Sequence, residues 1–177
     1  MGNVVMGNEA RTTVAVERVT LSSSRSFDDV VDGIYQGIGR PDYGALLGEL
    51  AAARSFDDYA SAVHSAVGPA NLLRFLEIDE GSALARNPDV DAYRMVRIIA
   101  GNPLTMSEMA QYVPDAGSYA PVTILVYETP DDGVRVCYDT VASELRPYED
   151  ERALTVAEQL DSGVLDVLRS ATGSGEQ

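Results

Sequence analysis

The segment from Val122 to Tyr138 constrains this chain most. Residues Val122–Glu128 (VTILVYE) are rich in β-branched and aromatic side chains, which suit a strand. The sequence Thr129-Pro130-Asp131-Asp132-Gly133 then puts proline, aspartate and glycine where a hairpin turn wants them. Residues 134–138 (VRVCY) return as a second strand. Strict alternation sorts their faces. Val122, Ile124, Val126 and Glu128 share one face, and Thr123, Leu125 and Tyr127 share the other. On the return strand Arg135, Cys137 and Asp139 share a face.

Three further strands read from the same signals: residues 12–21 (TTVAVERVTL), 71–78 (NLLRFLEI) and 93–100 (YRMVRIIA). Helices fill the spaces between them. Ser26 caps the first, with Asp29 three residues on and an apolar stripe of Phe27, Val30, Val31, Ile34, Tyr35 and Ile38. Tyr43, Leu46, Leu47 and Leu50 form a second helical pattern. Ser55-Phe56-Asp57-Asp58 repeats the chemistry of the first cap and opens a third, with Phe56, Tyr59, Ala60, Val63 and Val67 inward. The two caps read as independent, because the residues after them diverge. Short helices are expected over residues 79–86, 104–111 and 140–145, and a last helix over 155–169. The strands do not alternate regularly with helices. An α+β, two-layer fold follows, with helices on one face of a mainly antiparallel five-stranded sheet.

With 177 residues and 45% hydrophobic content, the chain suits one domain with a core of its own. Residues 1–10 read as a lead, 11–172 as the domain and 173–177 as a polar tail. The formal net charge is -15, which speaks against nucleic acid and against anionic lipid as partners. All 13 basic residues are arginine, which fits GC-rich codon usage or a salt-adapted surface and removes lysine-based covalent chemistry. The single Cys137 allows no intrachain disulfide and fits a cytoplasmic setting. Met1-Gly2-Asn3 resembles a myristoylation start, but Met6 stands where serine or threonine is wanted. No metal site and no glycine-rich nucleotide loop is expected, and no cofactor with them.

The order of motifs from Arg97 to Ala142 resembles the DUF302 family, a widespread bacterial group. Ile98-Ile99-Ala100-Gly101-Asn102-Pro103 ends a strand in Gly-Asn-Pro, and a helix with Met106 and Met109 follows. Tyr119-Ala120-Pro121 leads the next strand, and the hairpin DDGVRVCYDT closes the pattern. The resemblance implies a TATA-binding-protein-like fold: a curved antiparallel sheet with helices on one side. Two departures stand out. Residues of about 40–68 read as a helical insertion, and Asp79-Glu80 stands where family members often carry Asp-His.

Several residues are candidates for chemistry. Arg97 lies mid-strand on one face with Tyr93, Met95 and Ile99. It reads as an anchor for a carboxylate or enolate, as the structural partner of an acid such as Glu77 or Glu128, or as a residue simply exposed on the open sheet face. Glu128 beside Tyr127 suits acid–base work if buried; the alternative is a cross-strand pair with an arginine of the hairpin. His64, the only histidine, is the natural base near neutral pH or a structural histidine at the margin of its helix. Cys137 reads as a small hydrophobe before it reads as a nucleophile. Asn102 reads as a turn residue and Met106 as core, though both can line a pocket with Tyr59. The acidic run Tyr148-Glu149-Asp150-Glu151 suits the start of a helix.

The functional expectation is a small-molecule pocket between sheet and helices. Arg97, Glu128 and His64 are its expected chemical groups, and Tyr93, Asn102, Met106, Tyr127 and Tyr59 its lining. Any reaction there would be cofactor-independent isomerisation, cyclisation or elimination on an apolar or aromatic carbonyl compound. The alternative is a non-enzymatic module that forms a homodimer.

Overall fold

The computed structural model describes residue 9 and residues 11–131 and 133–175. The lead up to residue 8, residue 10, Asp132 of the turn and the last two tail residues lie outside it, and so does the Met1-Gly2-Asn3 start.

The five strands are β1 (Arg18–Ser23), β2 (Leu73–Asp79), β3 (Met95–Gly101), β4 (Val122–Glu128) and β5 (Val134–Asp139). They form one sheet in the order β1-β5-β4-β3-β2, and every neighbouring pair is antiparallel. The expected hairpin stands at its centre: Thr129 N–H donates to the Gly133 carbonyl at 2.9 Å and closes the turn. β1 begins later than expected. Its first pair is Arg18 with Asp139, and β5 stops there because the chain turns into a helix at Val141. Residues 12–16 therefore have no strand to pair with among the described residues. β2 also starts late, because Asn71 adopts a left-handed turn (φ 58) that an asparagine tolerates.

The helices are α1 (Phe27–Gly37), α2 (Tyr43–Ala52), α3 (Phe56–Ala66), α4 (Gly81–Leu84), α5 (Pro103–Ala110), α6 (Val141–Leu145) and α7 (Glu151–Thr172). Both expected serine caps form: Ser26 Oγ accepts from Asp29 N–H and Ser55 Oγ from Asp58 N–H, each at 3.1 Å. α7 runs longer than expected at both ends. Asp150 caps it by accepting from the Arg152 and Ala153 N–H groups, and Gly173 ends it at φ 75.

The sheet–helix interface is a filled core. Val96, Ile98 and Ala100 of β3, Val122, Ile124 and Val126 of β4, and Val134, Val136 and Tyr138 of β5 present one face. Residues such as Val30 and Ile34 of α1, Met109 of α5, Leu145 of α6 and Leu160, Val164 and Leu168 of α7 pack against it. Close approach of α1 to α7 needs glycine: a Cβ on Gly33 would lie 2.9 Å from the Ala171 backbone. The pocket expected between these layers is therefore occupied by side chains. α2 and α3 lie beside the β2 edge, where the Tyr43 ring meets Phe75 edge-on at 5.2 Å. Phe56 was expected inward but is 70% exposed: it shares the helix face of Val63, yet it is the first residue of α3, two turns away from where Val63 is buried.

Candidate functional site

Among the described residues, no helix layer covers the second face of the sheet. Register places Arg97 opposite Leu125, and Leu125 opposite Cys137, across three central strands. Met95 pairs Tyr127, which pairs Arg135, and Arg18 pairs Asp139 at the β1 edge. A groove of about 790 Å³ runs across this face, with Tyr93 and Glu80 along one wall and Tyr119 and Glu144 along another.

A bulge decides which acid meets Arg97. The pairing of β2 with β3 shifts register between Arg74 and Leu76, so the faces of β2 swap there. Leu76 and Ile78 then lie on the groove face, opposite Ile99 and Arg97, and Glu77 goes to the core side opposite Ile98. Glu80 continues the groove-side parity and takes the Arg97 guanidinium as an ion pair at 2.5 Å. Neither expected partner, Glu77 or Glu128, can reach it. Glu77 instead lies 3.8 Å from Arg74. The buried Arg97 Nε has no hydrogen-bond partner, one of two such side-chain atoms among the described residues.

Glu128 shares the core-side parity of Val126, and its Oε2 accepts from the Arg94 backbone N–H at 2.9 Å. It is therefore separated by the sheet from Arg97 and from Tyr127. The expected pair between Glu128 and Arg135 does not form, since Glu128 pairs with Val134 and Arg135 with Tyr127.

At the other end of the groove Asp139 accepts two hydrogen bonds from the Arg18 guanidinium, at 2.6 and 2.7 Å. That pair keeps Arg18 firmly charged. Cys137 is half-buried beside it, with its Sγ 3.5 Å from Thr20 Oγ1. Glu144 stands over this end from α6 and has no ion-pair partner among the described residues. Burial first, then the negative charges of Asp139 and Asp161, push its carboxyl up to about 7. The groove thus holds two arginines, two acids that neutralise them, and a third carboxyl poised near neutral pH.

α6 is anchored from behind. Asp161 is 6% exposed and accepts from Tyr138 Oη at 2.5 Å and from the Val141 and Ala142 N–H groups at 2.9 Å. These two N–H groups belong to the first turn of α6, where Thr140 provides no side-chain cap. Burial and this hydrogen bond push the Tyr138 phenol well above its ordinary range.

The remaining sequence candidates lie elsewhere. His64 is exposed on α3 and Tyr59 is partly buried there, and neither lines the groove. Asn102 is buried and structural: its Oδ1 caps α5 through Leu104 N–H, and its Nδ2 donates to Asn71. Met106 packs against the core. Arg97, Tyr93 and Tyr127 line one groove, and Glu80, Glu144 and Arg18 line it with them; these last three and Asp161 are not among the sequence candidates. Asp161 carried a signal, as the lone acid inside the apolar stripe of α7. No group of three or more metal-ligating side chains is present among the described residues. No helix there is long and apolar enough to cross a membrane.

The family model for the domain of unknown function DUF302 matches residues 49–170. The chain belongs to the DUF302 family. A crystal structure of an uncharacterized conserved DUF302 protein from Bacillus stearothermophilus superposes on it with a TM-score of 0.59. The two are 11% identical, and the match covers 87% of this chain and 97% of that one, so the likeness speaks to the fold alone. No curated protein matches this DUF302 chain.

Proposed function

We propose that this DUF302 protein binds a small molecule in the groove on the open sheet face, and that Glu144 exchanges a proton with it. The ligand is an apolar or aromatic compound bearing a carboxylate or carbonyl oxygen. Arg97 anchors that oxygen, and Tyr93, Met95, Leu125 and Tyr127 contact the apolar part. A carboxyl held near neutral pH is matched to proton transfer, so the reaction class is an isomerisation, cyclisation or elimination driven by acid–base chemistry. The observation that carries the reading is the half-exposed Arg97 guanidinium in one groove with the poised Glu144. A cytoplasmic setting belongs to the same reading and rests on the lone Cys137 thiol.

The test is amide NMR of labelled protein titrated with a panel of aromatic and aliphatic carboxylates and keto acids. Perturbations should centre on Leu125, Tyr127 and Cys137, and R97A should abolish them. Perturbations that map to the α1–α7 side, or that survive R97A unchanged, would sink the proposal. A second reading, a homodimer through this face, is favoured by the 52% exposure of Leu76 and the 41% exposure of Tyr93 on it. Sedimentation velocity distinguishes the two: a dimer that L76E dissociates supports the second, and a monomer removes it.

A further inference from the structure

We propose that Asp161, buried behind the sheet, is a positioning residue that governs Glu144 by occupying the N-terminus of α6. The proposal rests on the reading of the groove as the functional site. Asp161 is not among the groove residues, yet it ties three elements together from α7: Tyr138 of β5, and Val141 and Ala142 at the start of α6.

The geometry has two consequences. The first is placement. α6 spans only five residues, too short to hold its shape without outside contacts. Asp161 fixes its first turn, while Ser143 Oγ accepts from Glu17 N–H at 2.9 Å and donates to the Thr140 carbonyl at 2.7 Å. Glu144 is thereby held between these anchors and projects into the groove.

The second consequence is electrostatic. The free N–H groups at a helix start favour a nearby negative charge, and alone they would help Glu144 ionise. Asp161 takes up two of those N–H groups and adds a full negative charge of its own. The other charged and titratable groups around α6 are Asp139 and Cys137 from β5, Arg18 from β1, Glu17 from the segment before β1, Tyr119 from the loop before β4, and the exposed Arg146 at the C-terminal end of α6 itself. Arg18 is engaged by Asp139 and so is not free to draw Glu144 into its charged form. The balance over Glu144 is negative, and Asp161 is the part of it that lies outside the groove.

The experiment is a carbon-13 carboxyl NMR titration of the ligand-free full chain, with the Glu144 signal assigned by its loss in E144Q. In D161N the titration midpoint of Glu144 should fall by about half a unit, a roughly threefold weaker hold on its proton. In Y138F, which keeps the carboxylate and loses only one donor, it should stay near the wild-type value. Sucrose, which favours the compact state, goes into every sample so that D161N is compared folded. Equal midpoints in wild type and D161N would overturn the proposal. So would a fall in Y138F as large as in D161N, which would assign the effect to loosened packing. A wild-type Glu144 that titrates in the ordinary carboxylate range would overturn it as well. None of these readouts uses a ligand, so they stand apart from the groove's own test: ligand binding can fail while the titration holds, and the reverse.

Discussion

The two faces of the sheet are built by different rules. The face toward α1, α5, α6 and α7 is apolar and almost fully buried over its centre, with Arg74, Glu77 and Glu128 only along its margins, so its stability comes from area removed from water. The open face mixes Arg97, Cys137 and Asp139 with Met95, Ile99 and Leu125, and most of these are half-buried. Its charges cancel in pairs at opposite ends of the groove, Arg97 with Glu80 and Arg18 with Asp139. One face is specified by size and shape, and the other by which charges lie next to each other. Asp161 is the exception that joins them, a polar anchor set inside the apolar layer.

That exception gives the largest expected effect. Asp161→Ala leaves a phenol and two N–H groups of α6 without their acceptor inside the core. The loss should be roughly 3–5 kcal/mol of stability, measured by urea unfolding. A loss under 1 kcal/mol would mean that water replaces the carboxylate and that the core face admits solvent there. Next comes a paired comparison of adjacent residues on β3. Ile98→Ala, at a fully buried position, should cost about 2–5 kcal/mol. Ile99→Ala, one residue on and facing the groove, should cost about 1 kcal/mol or less. Equal costs would show that the open face is covered in solution, which is what a second copy of the chain would do.

The difference between the faces also explains what could be read from sequence. The core face is a local, period-two signal in each strand, so the hairpin, the strand faces and the core residues were legible. The serine caps were legible too, because their chemistry is complete within four residues. The groove is not local. Which acid meets Arg97 depends on one bulge at Phe75 that swaps the faces of β2, and no alternation rule announces a bulge. Glu128 looked close to Arg97 on a list of strands, yet its parity puts it on the other side of the sheet. Glu144 was hidden in a short helix whose placement depends on a residue 17 positions later. His64 is the only histidine, and rarity carries no information about position.

Glu144 supplies a smaller effect with a definite sign. Its carboxyl titrates near 7 in the folded protein, against an ordinary 4.5. Between those values the unfolded chain has already lost the proton that the folded chain keeps. Folding stability therefore falls as pH rises from about 4.5 to about 7, and stays lower above that. Glu144→Gln removes this slope. It should stabilise the protein at pH 8 by about 1–2 kcal/mol after allowance for solvent screening of a half-buried group, and by little at pH 4.5. A mutant whose stability runs parallel to wild type across this range would show that Glu144 is ordinary, and the groove would lose its proton donor.

The smallest effect on stability comes from the Arg18–Asp139 pair, and it sharpens the contrast most. Exposed ion pairs of this kind contribute little to folding, so Asp139→Asn should leave the urea midpoint almost unchanged. Its effect should appear in the charge state of the groove. Removing the Asp139 charge takes away a negative neighbour of Glu144, and it frees the Arg18 guanidinium to approach that carboxyl. Both changes favour the ionised form, so the Glu144 midpoint should move down. Carboxyl NMR on the ligand-free protein reads this directly. A core-face substitution changes how much folded protein there is, whereas this one should change only what the folded protein can do with a proton. A D139N variant that loses stability but leaves Glu144 unmoved would reverse that assignment and make the open face a second structural layer.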